Sequence, residues 1–207
     1  MKNFKNKEVY LVSDYEMNFS ELCEKVEEAL KSGTTILQYR AKNKDTRELC
    51  DEAMILKEIC EKYNCIFIIN DRVDIALVVD ADGVHLGQKD MKVKDARKIL
   101  GENKIIGAST KNVEEAKIAV NEGADYLGVG ALFETNTKKD ADYVTAEMLG
   151  EIKKSVNIPV YGIGGITDSN LTKDIINNID GVAVVSVILK SLDINATVTK
   201  LKSYFKR

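Results

Sequence analysis

At 207 residues, 44% hydrophobic and 30% charged, the chain has the length and composition of one large globular domain or two small ones. A net charge of −3 excludes a global basic field for nucleic acid, so any anionic ligand must be held by a local cluster of Lys and Arg. No apolar run reaches the roughly 18 residues that span a bilayer, and a single histidine, His85, argues against sites built on histidine pairs.

The opening MKNFKNKEVYLVSD is basic, but its apolar run is too short for a signal peptide, so a cytoplasmic protein is expected. That run, VYLVS (9–13), reads as a first strand. A helical pattern over 20–31 follows, with Leu22, Val26, Ala29 and Leu30 on one face, and then Gly33, where a left-handed turn favours glycine. TTILQYR (34–40) is the second strand. Asp45 is placed to cap a helix over 46–62, with Glu48 three residues on as in a capping box. CIFIIN (65–70) is the third strand, and it runs straight into Asp71 and another helical stretch. GVHLG (83–87), KIIGAS (104–109) and YLGVG (126–130) are separated by helical patterns over 93–100 and 112–122. Asn112 and Glu115 repeat the capping pair, and Gly101 and Gly123 follow the helices. A helix over 145–156 leads to PVYGIGG (159–165), begun by the only proline, whose missing N–H is tolerated at a strand start. A helix over 169–178, an eighth strand GVAVVSVIL (181–189) and a helix over 195–206 complete the pattern. Cys23, Cys50, Cys60 and Cys65 show neither CxxC nor metal spacing and read as reduced, mostly buried thiols.

Strand and helix alternate eight times, which implies parallel strands. Continuous apolar runs fit strands covered on both faces. Eight units favour a closed (β/α)8 TIM barrel over an open doubly wound sheet, as one catalytic domain over 1–207, near the roughly 200-residue minimum of that fold.

In such a barrel, chemistry sits at the C-terminal ends of the strands. Polar residues gather there. Strand two ends in Gln38, Arg40 and Lys42, sent to one side by their period-2 spacing, while Tyr39 should point the other way and pack under a helix. Strand three ends in Asn70 and Asp71. Gln88 and Asp90 follow strand four, and Ser109 and Thr110 end strand five. Each has a plainer reading alone: Asn70, Asp71 or Asp90 as a helix cap, Arg40 and Lys42 as solvated charges. Their recurrence across the strands favours a site. Arg40, Lys42 and Lys138 suit phosphate oxygens. Two carboxylates among such cations suggest Mg²⁺ shared with a substrate diphosphate, and a glycosidase-style acid pair would not explain the cations. The glycines of GIGG (162–165) fail the dinucleotide spacing but suit a phosphate approached by backbone N–H groups, with Val185 and Ser186 of strand eight beside it. Two phosphate-bearing ligands are therefore expected, with Thr135 and Thr137 able to hydrogen-bond either. His85 is expected inside the barrel, packed or hydrogen-bonded.

QYRAK (38–42), IINDRVDIAL (68–77), DGVHLGQKD (82–90), GAST (107–110), TNTKK (135–139), GIGGI (162–166) and VVS (184–186) together resemble the thiamine-phosphate synthase family, in family order and over nearly the whole chain. The resemblance implies a transferase of thiamine biosynthesis that joins 4-amino-2-methyl-5-(diphosphooxymethyl)pyrimidine to a thiazole monophosphate, releasing diphosphate by a dissociative route. It implies that Gln38, Arg40, Lys42, Asn70, Ser109 and Lys138 hold the pyrimidine diphosphate, the QYRAK segment with Tyr39 and Ala41 lining it. It implies Mg²⁺ at Asp71 and Asp90, and the thiazole phosphate at Thr135, Asn136, Thr137, Gly165, Val185 and Ser186. Arg40, Lys42 and Lys138 would be the catalytic cations. Lys111 stands where the family commonly has histidine, and Ala131 and Glu134 where it commonly has prolines. The competing readings are a thiazole tautomerase, which would not need the diphosphate and metal set, and a non-catalytic phosphometabolite-binding barrel. The expected partners are the two substrates, with no nucleic acid and no membrane; a homo-oligomer is compatible with the sequence.

Overall fold

A computed structural model describes residues 4, 7–134 and 143–205. Its eight parallel strands close into a barrel in sequence order: β1 (Val9–Val12), β2 (Ile36–Tyr39), β3 (Ile66–Asn70), β4 (Gly83–Leu86), β5 (Ile105–Thr110), β6 (Tyr126–Val129), β7 (Val160–Ile163) and β8 (Gly181–Val184). Closure is made by β8 on β1, with Val9 opposite Val182 and Leu11 opposite Val184. The helices are α1 (Phe19–Lys31), α2 (Thr46–Lys62), α3 (Val73–Val78), α4 (Val93–Leu100), α5 (Val113–Asn121), α6 (Ala146–Ser155), α7 (Lys173–Ile176), α8 (Ser186–Leu189) and α9 (Ile194–Ser203). Among the described residues, no helix is long and apolar enough to cross a membrane.

The strands alternate as their period of two demands. Val9, Leu11, Leu37, Tyr39, Phe67, Ile69, Val84, Leu86 and Ile106 face outward into the layer under the helices. Tyr10, Ile36, Ile68, Ile105, Tyr126, Tyr161 and Ala183 face inward and fill the barrel. The three inward tyrosines meet edge to face, their ring centroids 5.6–5.8 Å apart. Gly107 makes room for them, since a Cβ there would lie 2.1 Å from Cζ of Tyr126.

Capping follows the sequence closely. Asp45 Oδ1 accepts the Glu48 N–H at 2.9 Å, although the Glu48 carboxylate turns to Lys44 instead of closing the box. Asn112 Oδ1 accepts the Glu115 N–H at 2.8 Å. The N-terminal end of the barrel carries a repeated clasp. Asp82, Asp125 and Asp180 each immediately precede an even-numbered strand, and each accepts the N–H of the first or second residue of the strand before: Phe67 at 2.7 Å, Ile106 at 2.8 Å and Val160 at 2.8 Å. Asp125 also binds Arg97 at 2.7 Å, and Asp180 binds Lys153 at 2.5 Å.

Two boundaries differ from expectation. The apolar run 181–189 is a strand only to Val184. Val185 breaks the extended path (φ −120°, ψ −85°) and Ser186–Leu189 coil into α8, with Ile188 and Leu189 buried. An apolar run alone does not distinguish a buried strand from a buried helical turn. The helix expected over 169–178 contracts to Lys173–Ile176, started by Thr172.

Candidate active site

The C-terminal mouth of the barrel begins at β2. Gln38 faces inward. Tyr39 faces outward, its hydroxyl bonded to the buried Glu52 of α2, and Ala41 also packs against the layer under the helices. The side chains of Tyr39 and Ala41 therefore face the helical layer, as strand parity predicts for Tyr39. Arg40 is strapped to β1: its N–H donates to Ser13 Oγ at 2.7 Å, and the Ser13 hydroxyl lies 3.0 Å from the Arg40 carbonyl. The Arg40 guanidinium lies 5.0 Å from the centre of the Tyr15 ring, and the Lys42 ammonium 5.2 Å from it. The negative face of an aromatic ring attracts cations, and here one ring gathers two. Arg40 Nη1 is buried and has no hydrogen-bond partner among the described residues. A buried donor left unpaired is costly, and a phosphate oxygen is the acceptor that fits a guanidinium best.

The junction after β3 is a sharp bend. The Arg72 N–H donates to the Asn70 carbonyl at 2.7 Å, and Asp71 between them takes φ +59°. Left-handed backbone in a residue other than glycine is uncommon, and Asp and Asn tolerate it best. Neither Asn70 nor Asp71 caps α3, whose N-cap is Arg72 without a side-chain cap bond. Asp90 does not cap α4 either; that N-cap is Lys92. Asp90 instead folds back so that its Oδ2 accepts the Gly87 N–H at 2.8 Å. The plain capping readings are thus removed for all three residues.

Asp90 lies close enough to the Asp71 carboxyl to act on its charge. Asp71 is pushed up to about 6, first by the desolvation of the mouth and then by the hydrogen bond and charge of Asp90; Asn70 and the Arg40 charge oppose the shift. Asp71 keeps an exposed face, yet the surrounding walls withdraw enough water to penalise its charge. A carboxyl whose ionisation is disfavoured by a neighbouring carboxylate is one that a divalent cation would relieve. Among the described residues no group of three acidic, histidine or cysteine ligands is assembled. Mg²⁺ commonly takes one or two protein carboxylates and completes its shell with water and substrate phosphate, so this pair fits that ion.

On the far side, Gly164 and Gly165 take φ +95° and +64° and pack against the chain leaving β6. The Phe133 N–H donates to the Gly164 carbonyl at 3.0 Å, and a Cβ on Gly165 would lie 2.3 Å from the Glu134 carbonyl oxygen. Glycine at 165 is thus required by the neighbouring loop. Val185 and Ser186 lie at the turn into α8, Val185 half-buried and Ser186 exposed. Thr135, Asn136, Thr137 and Lys138 lie outside the described residues.

Across the barrel interior runs a continuous hydrogen-bond chain. Gln38 Nε2 lies 2.5 Å from Tyr10 Oη, Tyr10 Oη 2.8 Å from Tyr126 Oη, Tyr126 Oη 3.0 Å from His85 Nδ1, and His85 Nε2 2.9 Å from Ser109 Oγ. His85 is thus the hydrogen-bonded interior residue expected, and Gln38 and Ser109 are the two ends of one network. Tyr10, Ser13, Tyr15 and Tyr126 went unnoticed in the sequence. Strand parity was the available signal for the two interior tyrosines, since both alternate with outward apolar residues.

The family profile described as thiamine monophosphate synthase matches residues 9–188. The chain belongs to this family. It is 56% identical over 191 residues to the thiamine-phosphate synthase of Clostridium perfringens strain 13, covering 92% of both chains. It is 48% identical over 198 residues to that of Clostridium tetani, covering 95% of both. The solved thiamine phosphate pyrophosphorylase of Pyrococcus furiosus superposes with a TM-score of 0.86 at 38% identity, covering 97% of this chain and 96% of that one. Family membership makes the chain a transferase of thiamine biosynthesis.

Proposed function

We propose that this mouth joins 4-amino-2-methyl-5-(diphosphooxymethyl)pyrimidine to 4-methyl-5-(2-phosphooxyethyl)thiazole, or its carboxylated form, releasing diphosphate and forming thiamine phosphate with Mg²⁺ as cofactor. The observation that carries this reading is the buried Arg40 Nη1, which has no hydrogen-bond partner among the described residues, and whose charge acts on Asp71 beside Asp90. That combination is made for an anion that arrives with a divalent cation.

In the dissociative route, the C–O bond to diphosphate breaks and its electron pair leaves with the diphosphate. The resulting pyrimidine methylene cation is captured by the thiazole nitrogen lone pair, which forms the new C–N bond. Bound at Asp71 and Asp90, Mg²⁺ would supply charge neutralisation for the departing diphosphate. Arg40, held by Ser13 and Tyr15, offers its Nη1 to the same oxygens, and Lys42 and Lys138 add charge. Asn70, Gln38 and Ser109 position the pyrimidine. Gly165, Val185 and Ser186, with Thr135, Asn136 and Thr137, receive the thiazole phosphate. No strong general base is required, in keeping with a single histidine. Catalysis rests on electrostatic preorganisation and on holding the two reactants together.

The proposed setting is the cytoplasm, with the two substrates as partners and no nucleic acid or membrane. The test is to incubate the pure chain with both substrates and Mg²⁺. Thiamine phosphate and diphosphate in equal amounts support the reading. Tight binding of the thiazole phosphate with no product formed would favour the non-catalytic barrel and overturn it.

A further inference from the structure

We propose that Tyr10, Tyr126 and His85 are positioning residues that give the floor of the mouth a fixed hydrogen-bond polarity, so that Gln38 presents an acceptor and Ser109 a donor to the aminopyrimidine edge. The inference deepens the proposed function and rests on its placement of the pyrimidine.

The direction follows from counting protons along the chain. Gln38 donates its amide N–H to Tyr10 Oη, which turns its amide oxygen to the other side. Tyr10 has one proton to give, and the next group is Tyr126 Oη at 2.8 Å. Tyr126, having accepted, donates in turn to His85 Nδ1. A neutral imidazole that accepts at Nδ1 carries its proton on Nε2, which then donates to Ser109 Oγ. Ser109 therefore receives one hydrogen bond and keeps its own O–H to give away. Burial pushes the phenols of Tyr10 and Tyr126 well above their usual range, so both remain protonated donors.

The surroundings hold the relay in place. Tyr10 and Tyr126 are clamped edge to face with Tyr161. The His85 ring lies 5.5 Å from that of Tyr126, and Gly128, opposite Ser109, leaves it room; a Cβ there would stand 3.1 Å from His85 Cε1. A 4-aminopyrimidine displays an N–H donor on its exocyclic amine beside an acceptor ring nitrogen. An acceptor at Gln38 and a donor at Ser109 match that order. The 4-oxo analogue displays the reverse order and is mismatched at both points. A site whose polar groups are left unpaired by the wrong ligand discriminates strongly.

His85 is the only histidine in the sequence, so its ring nitrogens can be observed without assignment in the ¹⁵N-labelled wild-type chain at mildly alkaline pH. The expected result is a neutral ring protonated at Nε2. Tyr126→Phe should mix the two tautomers and raise the KM for the pyrimidine diphosphate about tenfold, the size of one lost hydrogen bond, with the thiazole phosphate KM unchanged. Tyr10→Phe should raise the same KM and serves where Tyr126→Phe does not fold. A wild-type ring protonated at Nδ1 would overturn the proposal, as would Phe variants with unaltered pyrimidine KM. If the wild-type chain yields no thiamine phosphate, the proposed function fails, while the tautomer, measured on the protein alone, still decides the polarity of the relay.

Discussion

The backbone N–H of Asp71 donates to the carbonyl of His85 at 2.8 Å, one residue beyond the last paired step of β3 and β4, Asn70 opposite His85. The ladder thus anchors Asp71 while its left-handed φ turns the chain sharply. Asp71→Asn preserves that conformation and removes only the charge. We expect it to abolish the response of turnover to Mg²⁺ and, by relieving the repulsion from Asp90, to melt no lower than the wild type without metal at neutral pH. Asp71→Ala should lower kcat by about 10²–10³ or more. A Mg²⁺ titration of turnover and thermal melts check both; normal turnover at ordinary Mg²⁺ in Asp71→Ala contradicts the metal assignment.

Asp71 also sets a pH dependence. Its pKa is raised from the ordinary 3.8 to about 6, so between those values the folded chain holds a proton that the unfolded chain has released. The stability from this group is fully present below about 4 and is lost as pH rises through about 6. Asp74, Asp80 and Asp95, held below the usual range by Arg72, Lys104 and Lys98, contribute in the opposite sense. The Asp71 contribution is therefore read as the difference between wild type and Asp71→Asn. In metal-free melts that difference should fall from pH 4 to 6, and saturating Mg²⁺ should offset the loss. Mg²⁺ affinity should weaken as pH drops below about 6.

Arg40 and Tyr15 make a separable pair of tests. A lysine at 40 keeps the charge but has no planar fork to place a donor where Nη1 lies. Arg40→Lys should cut kcat/KM for the pyrimidine diphosphate by about 10². Tyr15→Leu removes the ring shared by Arg40 and Lys42 and should raise that KM about two- to fivefold, the scale of an exposed cation–π contact. Steady-state kinetics with each substrate varied in turn distinguishes these effects from a change at the thiazole site.

At the opposite end, Asp125→Ala removes the acceptor for both the Ile106 N–H and Arg97. Leaving the Ile106 N–H unpaired, and Arg97 with backbone acceptors only, should cost about 1–3 kcal/mol in urea unfolding. The kinetic constants at a permissive temperature should not change, because this face of a barrel serves stability and not chemistry.

Most of the barrel was legible because its strands are short apolar runs bounded by caps and glycines. The helix over 93–100 agrees to the residue, and Asp45 and Asn112 cap as their positions suggest. Strand parity also placed Tyr39 under α2. Asn70, Asp71 and Asp90 were legible as residues of the barrel mouth because a parallel barrel gathers strand ends. What escaped depended on contacts across the barrel. Tyr10 and Tyr126 meet 116 positions apart, and neither carries the charge that draws attention at a strand end. Ser13 and Tyr15 act on Arg40 through space, from the segment that follows β1. The break at Val185 falls in a run that is apolar except for Ser186, and one serine does not distinguish a strand from a helical turn.

The pairing of β1 with β8 has a consequence for how the chain is made. Val9 waits for Val182, so until residue 182 has left the ribosome, β1 keeps an open edge and β7 lacks its outer neighbour. Nascent fragments ending before residue 181 therefore carry unsatisfied strand edges, which are templates for pairing with other chains. Emergence of β8 is the moment the molecule can first become a closed and non-sticky body.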